Sequence, residues 1–188
     1  MTGDNTYEGG TTVEGGKLSI NGSHASSVDV QGGTLGGSGV VAGSIDVDIG
    51  VLEPGLAPEE AEEAAQITQV AIAPGNVLKV GGDVRIGPEG SLAVTVRSDS
   101  DYTSVEAEGG LVLDKKAELV LDVQGALTEG TVLTIMKGRS VTGRFDKLPE
   151  NRAWQTEGYL FRVSYRNNSV TLTVMHAVPP TAPPGRNK

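Results

Sequence analysis

Apolar and polar residues alternate in short stretches of this chain, and these stretches recur at a fixed spacing. Val28–Val30 and Leu92–Val96 show the two-residue period of a strand with one buried face. Three segments align without gaps, with leucines 17 residues apart and a valine five positions before each leucine: Val13–Leu18, Val30–Leu35 and Val47–Leu52. Two later copies are longer by one residue: Ile86–Leu92 and Leu113–Leu119. Such periodicity is typical of a repeat architecture.

The repeat predicts an all-β fold, a right-handed parallel β-helix (solenoid). Seventeen residues at about 3.3 Å each give a path of roughly 56 Å, which suffices for one turn of a slender three-sided coil. Equivalent valines and leucines would stack inside the coil, and each rung would bury its apolar face against the next. Glycine allows the corners to turn without a Cβ clash. An ordinary meander of hairpins is the alternative, because Gly-Gly also marks hairpin turns.

Breaks in the pattern suggest how the chain is organised. We expect regular 17-residue β-helix rungs over 1–53, an insertion with a short acidic helix over 54–74, further rungs over 75–129, an aromatic-rich C-terminal β cap, similar to an autochaperone segment, over 130–176, and a Pro-rich linker or tail over 177–188. Within the insertion, Pro58–Gln66 begins with proline and acidic residues, which favour a helix start. We expect this helix to be solvated, although a partner could also bind it.

The predicted cap differs from the repeats in composition. Five of the seven aromatic residues lie between Phe145 and Tyr165. Leu133–Met136 and Val141–Phe145 are predicted strands, and Arg166–Ser169 is predicted to be a hairpin turn between two further strands. The open end of a solenoid exposes unpaired backbone and must be covered, so this section is expected to close the structure.

Composition and charge exclude several classes of function. The chain has no cysteine, which rules out disulfides and thiolate metal sites, and its formal net charge is −9. That charge argues against nucleic acid and anionic membrane surfaces as partners. No apolar run of membrane-spanning length is present, so no direct membrane insertion is expected. Met1–Asp4 lacks the features of a signal peptide, and we therefore expect the chain to be a segment of a longer protein.

Several motifs resemble a known family. Asn5–Leu18 is similar to the autotransporter-associated β-strand repeat, also called the passenger-associated transport repeat, and Ile72–Leu78 is similar to the corner that often follows it. Gly130–Ile135, Val141–Asp146 and Tyr165–Leu172 resemble the autochaperone-like end of such passengers. The resemblance implies a β-helical passenger segment that is secreted or displayed on the bacterial surface, with an upstream passenger and an outer-membrane barrel downstream.

Residues suited to catalysis or metal binding are few. Asp46 and Asp48 would point to one side of a strand and Asp29 would stack beside Asp46, which gives either a weak Ca²⁺ site or, as we expect, a solvated acidic ladder. His24 lies in a Gly-Ser-rich stretch and His176 borders the proline-rich tail, and both are interpreted as surface residues. A nucleophilic triad needs a positioned base. We therefore assign no catalytic residue, metal or cofactor.

An aromatic and arginine group in the cap is the candidate ligand site. Flat rings could contact sugars while guanidinium groups donate hydrogen bonds, and the set comprises Trp154, Tyr159, Tyr165, Arg144, Arg152 and Arg162. The alternative is that the rings plug the solenoid end. Three functions follow: a structural stalk whose C-terminal part templates folding during export, an adhesin for a glycan or host matrix protein, or an ancillary domain of a larger surface enzyme. The first is the one we expect.

Overall fold

The structure, a computed structural model, describes residues 3–55 and 76–177, and within those ranges it is all-β, without helices. The described strands form two sheets of nine strands each. Their bounds are β1 Asp4–Asn5, β2 Thr11–Val13, β3 Lys17–Ser19, β4 Ser23–His24, β5 Val28–Val30, β6 Thr34–Gly37, β7 Val40–Val41, β8 Ile45–Pro54, β9 Val77–Val80, β10 Val84–Val96, β11 Ser104–Ala107, β12 Gly110–Leu113, β13 Glu118–Val123, β14 Val132–Lys137, β15 Ser140–Gly143, β16 Ala153–Thr156, β17 Tyr159–Ser164 and β18 Ser169–Ala177. The predicted helix over Pro58–Gln66 and the tail after Ala177 lie outside the described residues.

The chain passes repeatedly from one sheet to the other. The first sheet has the order β1-β4-β7-β9-β11-β14-β18-β17-β16, and the second has the order β15-β12-β10-β8-β5-β2, with β3, β6 and β13 paired beside this path. Successive segments of the chain therefore lie beside one another as five repeats: β2–β3–β4, β5–β6–β7, β8–β9, β10–β11 and β12–β13–β14. Pairing between repeats is parallel in both sheets. Buried side chains from both sheets form one apolar core cluster.

The register confirms the alignment predicted from the sequence. One column of paired residues contains, in order, Val13, Val30, Val47, Ile86 and Leu113. A second column contains Leu18, Leu35, Leu52, Leu92 and Leu119. The central members of both columns are fully buried. The apolar period of the sequence is thus a stack of equivalent side chains across the repeats.

A bulge explains why the later copies are one residue longer. The β8–β10 register shifts between Ile86 and Glu89, so that Val47 and Ile49 of β8 pair with Ile86 and Glu89 of β10. The extra residue falls at Gly87–Pro88, and proline is tolerated at a bulge because no ladder hydrogen bond from its nitrogen is required there. The valine-type and leucine-type columns both stay in register as a result.

The pairing becomes antiparallel at the C-terminal end. Strand β14 pairs with β18 antiparallel, and β18, β17 and β16 continue the first sheet in the same manner. The hairpin predicted around Arg166–Ser169 is confirmed by the β17–β18 pairing. Phe161, Val163 and Leu172 from this hairpin are fully buried in the core. These strands cover the edge of β14, which would otherwise present unpaired backbone groups.

Close stacking of the repeats should be measurable through a matched pair of glycines. A Cβ at Gly32 would lie 2.4 Å from the carbonyl oxygen of Glu14 in the preceding repeat, whereas a Cβ at Gly15 meets nothing within 4 Å. Gly32→Ala should therefore lower the free energy of unfolding by roughly 1–3 kcal/mol. Gly15→Ala should stay within about 1 kcal/mol of wild type. Urea unfolding of both variants checks this, and equal effects would contradict the stacking distance.

Candidate functional site

The six predicted ligand residues lie on or beside the C-terminal antiparallel strands. Trp154 lies on β16, while Tyr159 and Arg162 lie on β17. Arg144, Arg152 and Tyr165 occupy the connections next to these strands. A two-residue loop, Glu157–Gly158, joins β16 to β17, and both residues have positive φ, as the favoured two-residue hairpin turns require. This turn fixes Trp154 opposite Phe161 across the β16–β17 pair.

Trp154 and Arg152 share one surface groove. The groove has a volume of about 480 Å³, and Glu118, Asp146 and Leu148 also line it. Trp154 is half-buried and packs against the core, and Arg152 is exposed. We call this depression the Trp154 groove. With Lys147, which also lines it, the groove combines one ring, two cations and two carboxylates, which is a suitable set for contacts with hydroxylated ligands.

Tyr165 is held by structural hydrogen bonds. Its hydroxyl donates to the carbonyl oxygen of Leu148 at 2.8 Å and accepts from the Phe145 N–H at 3.1 Å. Its own N–H donates to Glu150 Oε2 at 2.6 Å. Burial raises the pKa of the Tyr165 phenol to about 12, because the ionised form would lose solvation. The ring therefore fastens the β15–β16 connection to β17.

Tyr159 and Arg162 are also placed away from the Trp154 groove. The Tyr159 hydroxyl accepts a hydrogen bond from the Leu127 N–H at 3.1 Å, and its ring lies 6.0 Å from that of Phe161. Arg162 is exposed on β17, in register with Ala153 and Thr173 on the two neighbouring strands. The structure thus brings together Trp154 and Arg152, while the hydroxyls of Tyr159 and Tyr165 bond to the connections before β14 and before β16.

A second groove of about 600 Å³ carries most of the local positive charge. Lys115, Lys116, Arg144 and Lys147 line it above an apolar floor that includes Phe145 and Leu148. We call it the basic groove. Asp146 and Leu148 line both grooves, so the two are adjacent. The sequence analysis identified only Arg144 among the four cations of this groove. The other three could have been found as a Lys-Lys pair and a third lysine, all in connections between strands.

Two lysines of the basic groove have strained backbones. Lys116 has φ 79° and Lys147 has φ 56°, both in the left-handed region that favours glycine or asparagine. Each such residue costs of order 1–3 kcal/mol, and strain of this kind clusters at functional sites. Glycine would remove the strain at either position, so a lysine there keeps a long cationic side chain at a cost in stability.

The acidic column predicted around Asp46 contains a cation. Asp29 is in register with Asp46, as expected, and Asp46 is in register with Arg85. Arg85 Nη1 lies 2.8 Å from Asp46 Oδ1 and 3.4 Å from Asp48 Oδ1, and Nη2 pairs with Asp114. Across the described ranges, no group of three or more histidine, aspartate or glutamate residues is arranged to hold a metal ion. Arg85 accounts for the carboxylates without a cation from solution.

The interpretation of His24 as a surface residue is wrong. Its side chain is 1% exposed, on β4, and Nε2 lies 3.2 Å from Thr11 Oγ1 and 3.1 Å from Ser26 Oγ. Burial lowers the pKa of this imidazole, which favours the neutral ring. The Tyr7 ring contacts it edge-on at 5.2 Å between centroids. Tyr7 and Thr11, which contact the ring, come from an earlier part of the chain, and composition alone does not reveal this. His176, by contrast, is exposed as predicted.

Comparison with models of known protein families gave no match, and a search of curated proteins gave no significant match. Over residues 3–55 and 76–177, no helix has the length and apolar character needed to cross a membrane. The function is therefore argued from the contacts of the chain itself.

The Tyr165 phenol should make the free energy of unfolding depend on pH in the alkaline range. Since the folded-state pKa of its phenol is about 12 against an ordinary value of 10.0, the neutral phenol stabilises the fold below pH 10. That stabilisation is lost as pH rises from 10 to 12. Tyr165→Phe should remove this component and lower stability at neutral pH by about 1–3 kcal/mol through the lost hydrogen bonds. Urea unfolding between pH 7 and pH 12 checks both effects; identical alkaline slopes in the two proteins would show that Tyr165 is not responsible.

Proposed function

We propose that this chain is a non-enzymatic structural segment, a right-handed parallel β-helix stalk of a secreted or surface-displayed bacterial protein. The observation that carries the proposal is the register, in which equivalent residues of successive repeats pair in parallel across both sheets. A stack of this kind extends in one direction by adding repeats and needs no separate core for each of them. The motifs similar to autotransporter passengers support the export of such a stalk, with an upstream passenger and a downstream outer-membrane barrel as its neighbours.

Polar side chains support the stalk by linking one repeat to the next. The Ser44 N–H donates to Ser27 Oγ at 3.0 Å, and the Asp83 N–H donates to Ser44 Oγ at 3.1 Å. The Gly110 N–H continues the series by donating to Asp83 Oδ1 at 2.6 Å. Each side chain satisfies a backbone donor of the following repeat, at a corner where strand pairing has not yet begun. A series of this type suits a load-bearing rod better than an open catalytic cleft.

The C-terminal strands support a role in folding. Their antiparallel pairs β16–β17 and β17–β18 are joined by short loops, whereas paired residues of the parallel repeats lie 17 residues apart or more. Local pairs lose less chain entropy on closing and form first. The β17–β18 hairpin would then offer β14 a finished edge, from which the parallel repeats stack in turn. We infer that the 130–176 segment templates the passenger in this way.

Refolding kinetics test the template role with two buried side chains. Phe161 of β17 and Leu35 of β6 are both fully buried. Either substitution by alanine should lower the free energy of unfolding by roughly 2–5 kcal/mol. Phe161→Ala should slow refolding, because its contacts form early, and Leu35→Ala should mainly speed unfolding. Stopped-flow refolding from urea measures this, and a template role is excluded if Phe161→Ala refolds at the wild-type rate.

A second function is favoured by one observation, the shared position of Trp154 and Arg152 in a groove. Aromatic faces beside a guanidinium group bind sugars and protein surfaces through apolar contact and hydrogen bonds. In this role the chain is an adhesive module for a glycan or a host matrix protein. It is compatible with the stalk, which would hold the groove away from the cell.

Binding through the Trp154 groove has a direct test. The chain contains one tryptophan, so tryptophan emission, excited selectively at wavelengths that tyrosine does not absorb, reports on this groove alone. A glycan or matrix protein that binds there should shift the emission, and Trp154→Ala should weaken its binding by roughly tenfold or more. Tyr7→Ala, which removes an exposed aromatic ring far along the chain, is the matched control and should bind normally. Equal binding by wild type and Trp154→Ala, measured by calorimetry on folded samples, would rule out this site.

A further inference from the structure

The basic groove is lined by four cationic side chains, and three of them form no salt bridge within the described residues. In the parts of the chain that the structure describes, no salt bridge involves Lys115, Lys116 or Arg144, and Lys147 contacts Asp146 at 3.2 Å while remaining 89% exposed. The chain as a whole has a formal net charge of −9. Four cations along one groove are therefore a local reversal of the overall charge, and the one carboxylate among the residues that line it is Asp146, which pairs with Lys147.

Backbone strain is a second and independent observation at the same place. Lys116 and Lys147 both line the basic groove and both have left-handed backbones. Asn151, Asn167 and Asn168 also have positive φ, and asparagine is a residue type that tolerates it. The lysines are not of that type. Apart from Glu157 in the β16–β17 turn, they are the described residues other than glycine and asparagine with positive φ, so the groove keeps their ammonium groups against local backbone preference.

The shape of the groove restricts the ligand. Its lining includes exposed Pro149 and the aliphatic chains of the exposed lysines, above the buried Phe145 and Leu148, and these groups offer carbon surface rather than hydrogen-bonding groups. A small inorganic anion would use the cations and leave this surface uncovered. A sugar ring presents carbon faces to such a floor and carries its anionic group at the rim, where the lysines and Arg144 lie.

We propose that the basic groove binds an acidic polysaccharide, whose carboxylate or sulfate groups pair with Lys115, Lys116, Arg144 and Lys147. A polymer that repeats its anionic groups can pair with several of the cations that line the groove. Double-stranded DNA is a poor match, because its charge density is high and the acidic remainder of this chain would repel the duplex outside the groove. The proposal goes beyond the stalk role and does not depend on Trp154.

Three dextrans that share one polymer backbone but differ in charge test the proposal. Dextran sulfate, carboxymethyl dextran and neutral dextran are titrated against the intact chain by calorimetry at low and at high salt. We expect binding of one or both charged polymers that weakens as salt rises, and no binding of the neutral polymer. The two charged polymers distinguish sulfate from carboxylate as the preferred group.

Charge-matched variants locate the binding. Lys115→Gln with Lys116→Gln should weaken binding at least about tenfold, and Arg144→Gln alone should weaken it in the same direction. Lys79→Gln with Arg139→Gln removes the same number of exposed positive charges elsewhere and should leave the dissociation constant within about twofold. Trp154→Ala should also bind normally, and circular dichroism confirms the fold of each variant.

Three results would overturn the proposal. The first is equal binding by the lysine double variant and wild type. The second is equal binding of neutral and charged dextrans, since that would remove the role of charge. The third is binding of a DNA duplex as tight as that of the acidic dextrans at the same salt concentration, because the groove would then recognise polyanions without regard to sugar.

Discussion

The distance between one repeat and the next is the constraint on which this structure depends. Parallel strands lie about 4.7–4.9 Å apart, so every residue at a corner must fit between the backbones on either side. A Cβ at Gly33 would lie 2.3 Å from the carbonyl oxygen of Gly16, and one at Gly37 would lie 2.1 Å from that of Ile20. The glycines are therefore required by the stacking itself. The valine and leucine columns follow from the same constraint, because equal spacing places equivalent side chains over one another.

Length differences between repeats have to be absorbed without disturbing this spacing. Residues paired between β5 and β8 are 17 apart in sequence, whereas those paired between β10 and β13 are 27 apart. The extra residues lie in the connections between strands, among them 97–103 between β10 and β11, while the buried columns remain in register. Because stacking fixes the strands, differences in length between repeats are confined to the connections at the corners. The Trp154 groove and the basic groove also lie at these connections.

The features that could be predicted from the sequence are those marked by a periodic pattern or by a short local motif. The leucine spacing predicted the register of Leu18, Leu35 and Leu52, and the Asn-Asn pair between two alternating segments predicted the β17–β18 hairpin. His24 was misjudged because its burial comes from Tyr7 and from the side chains of neighbouring repeats, not from its own segment. The basic groove was missed for a related reason: Lys115 and Lys147 are 32 residues apart in the chain, and only the pairing of β12 with β15 brings their connections together.

The C-terminal antiparallel strands end the parallel stack, and exposed cationic residues lie beside them. One physical reason connects these two features. Within the stack, each corner is confined by a repeat on both sides, so a strained or bulky residue would disturb two neighbours. After β15 the described chain turns into antiparallel strands, and the connections that carry Arg144 and Lys147 face no further parallel repeat. The left-handed backbone of Lys147 is tolerated there because its strain stays local. The C-terminal end of this stack can thus carry exposed cationic residues without weakening the register that holds the repeats together.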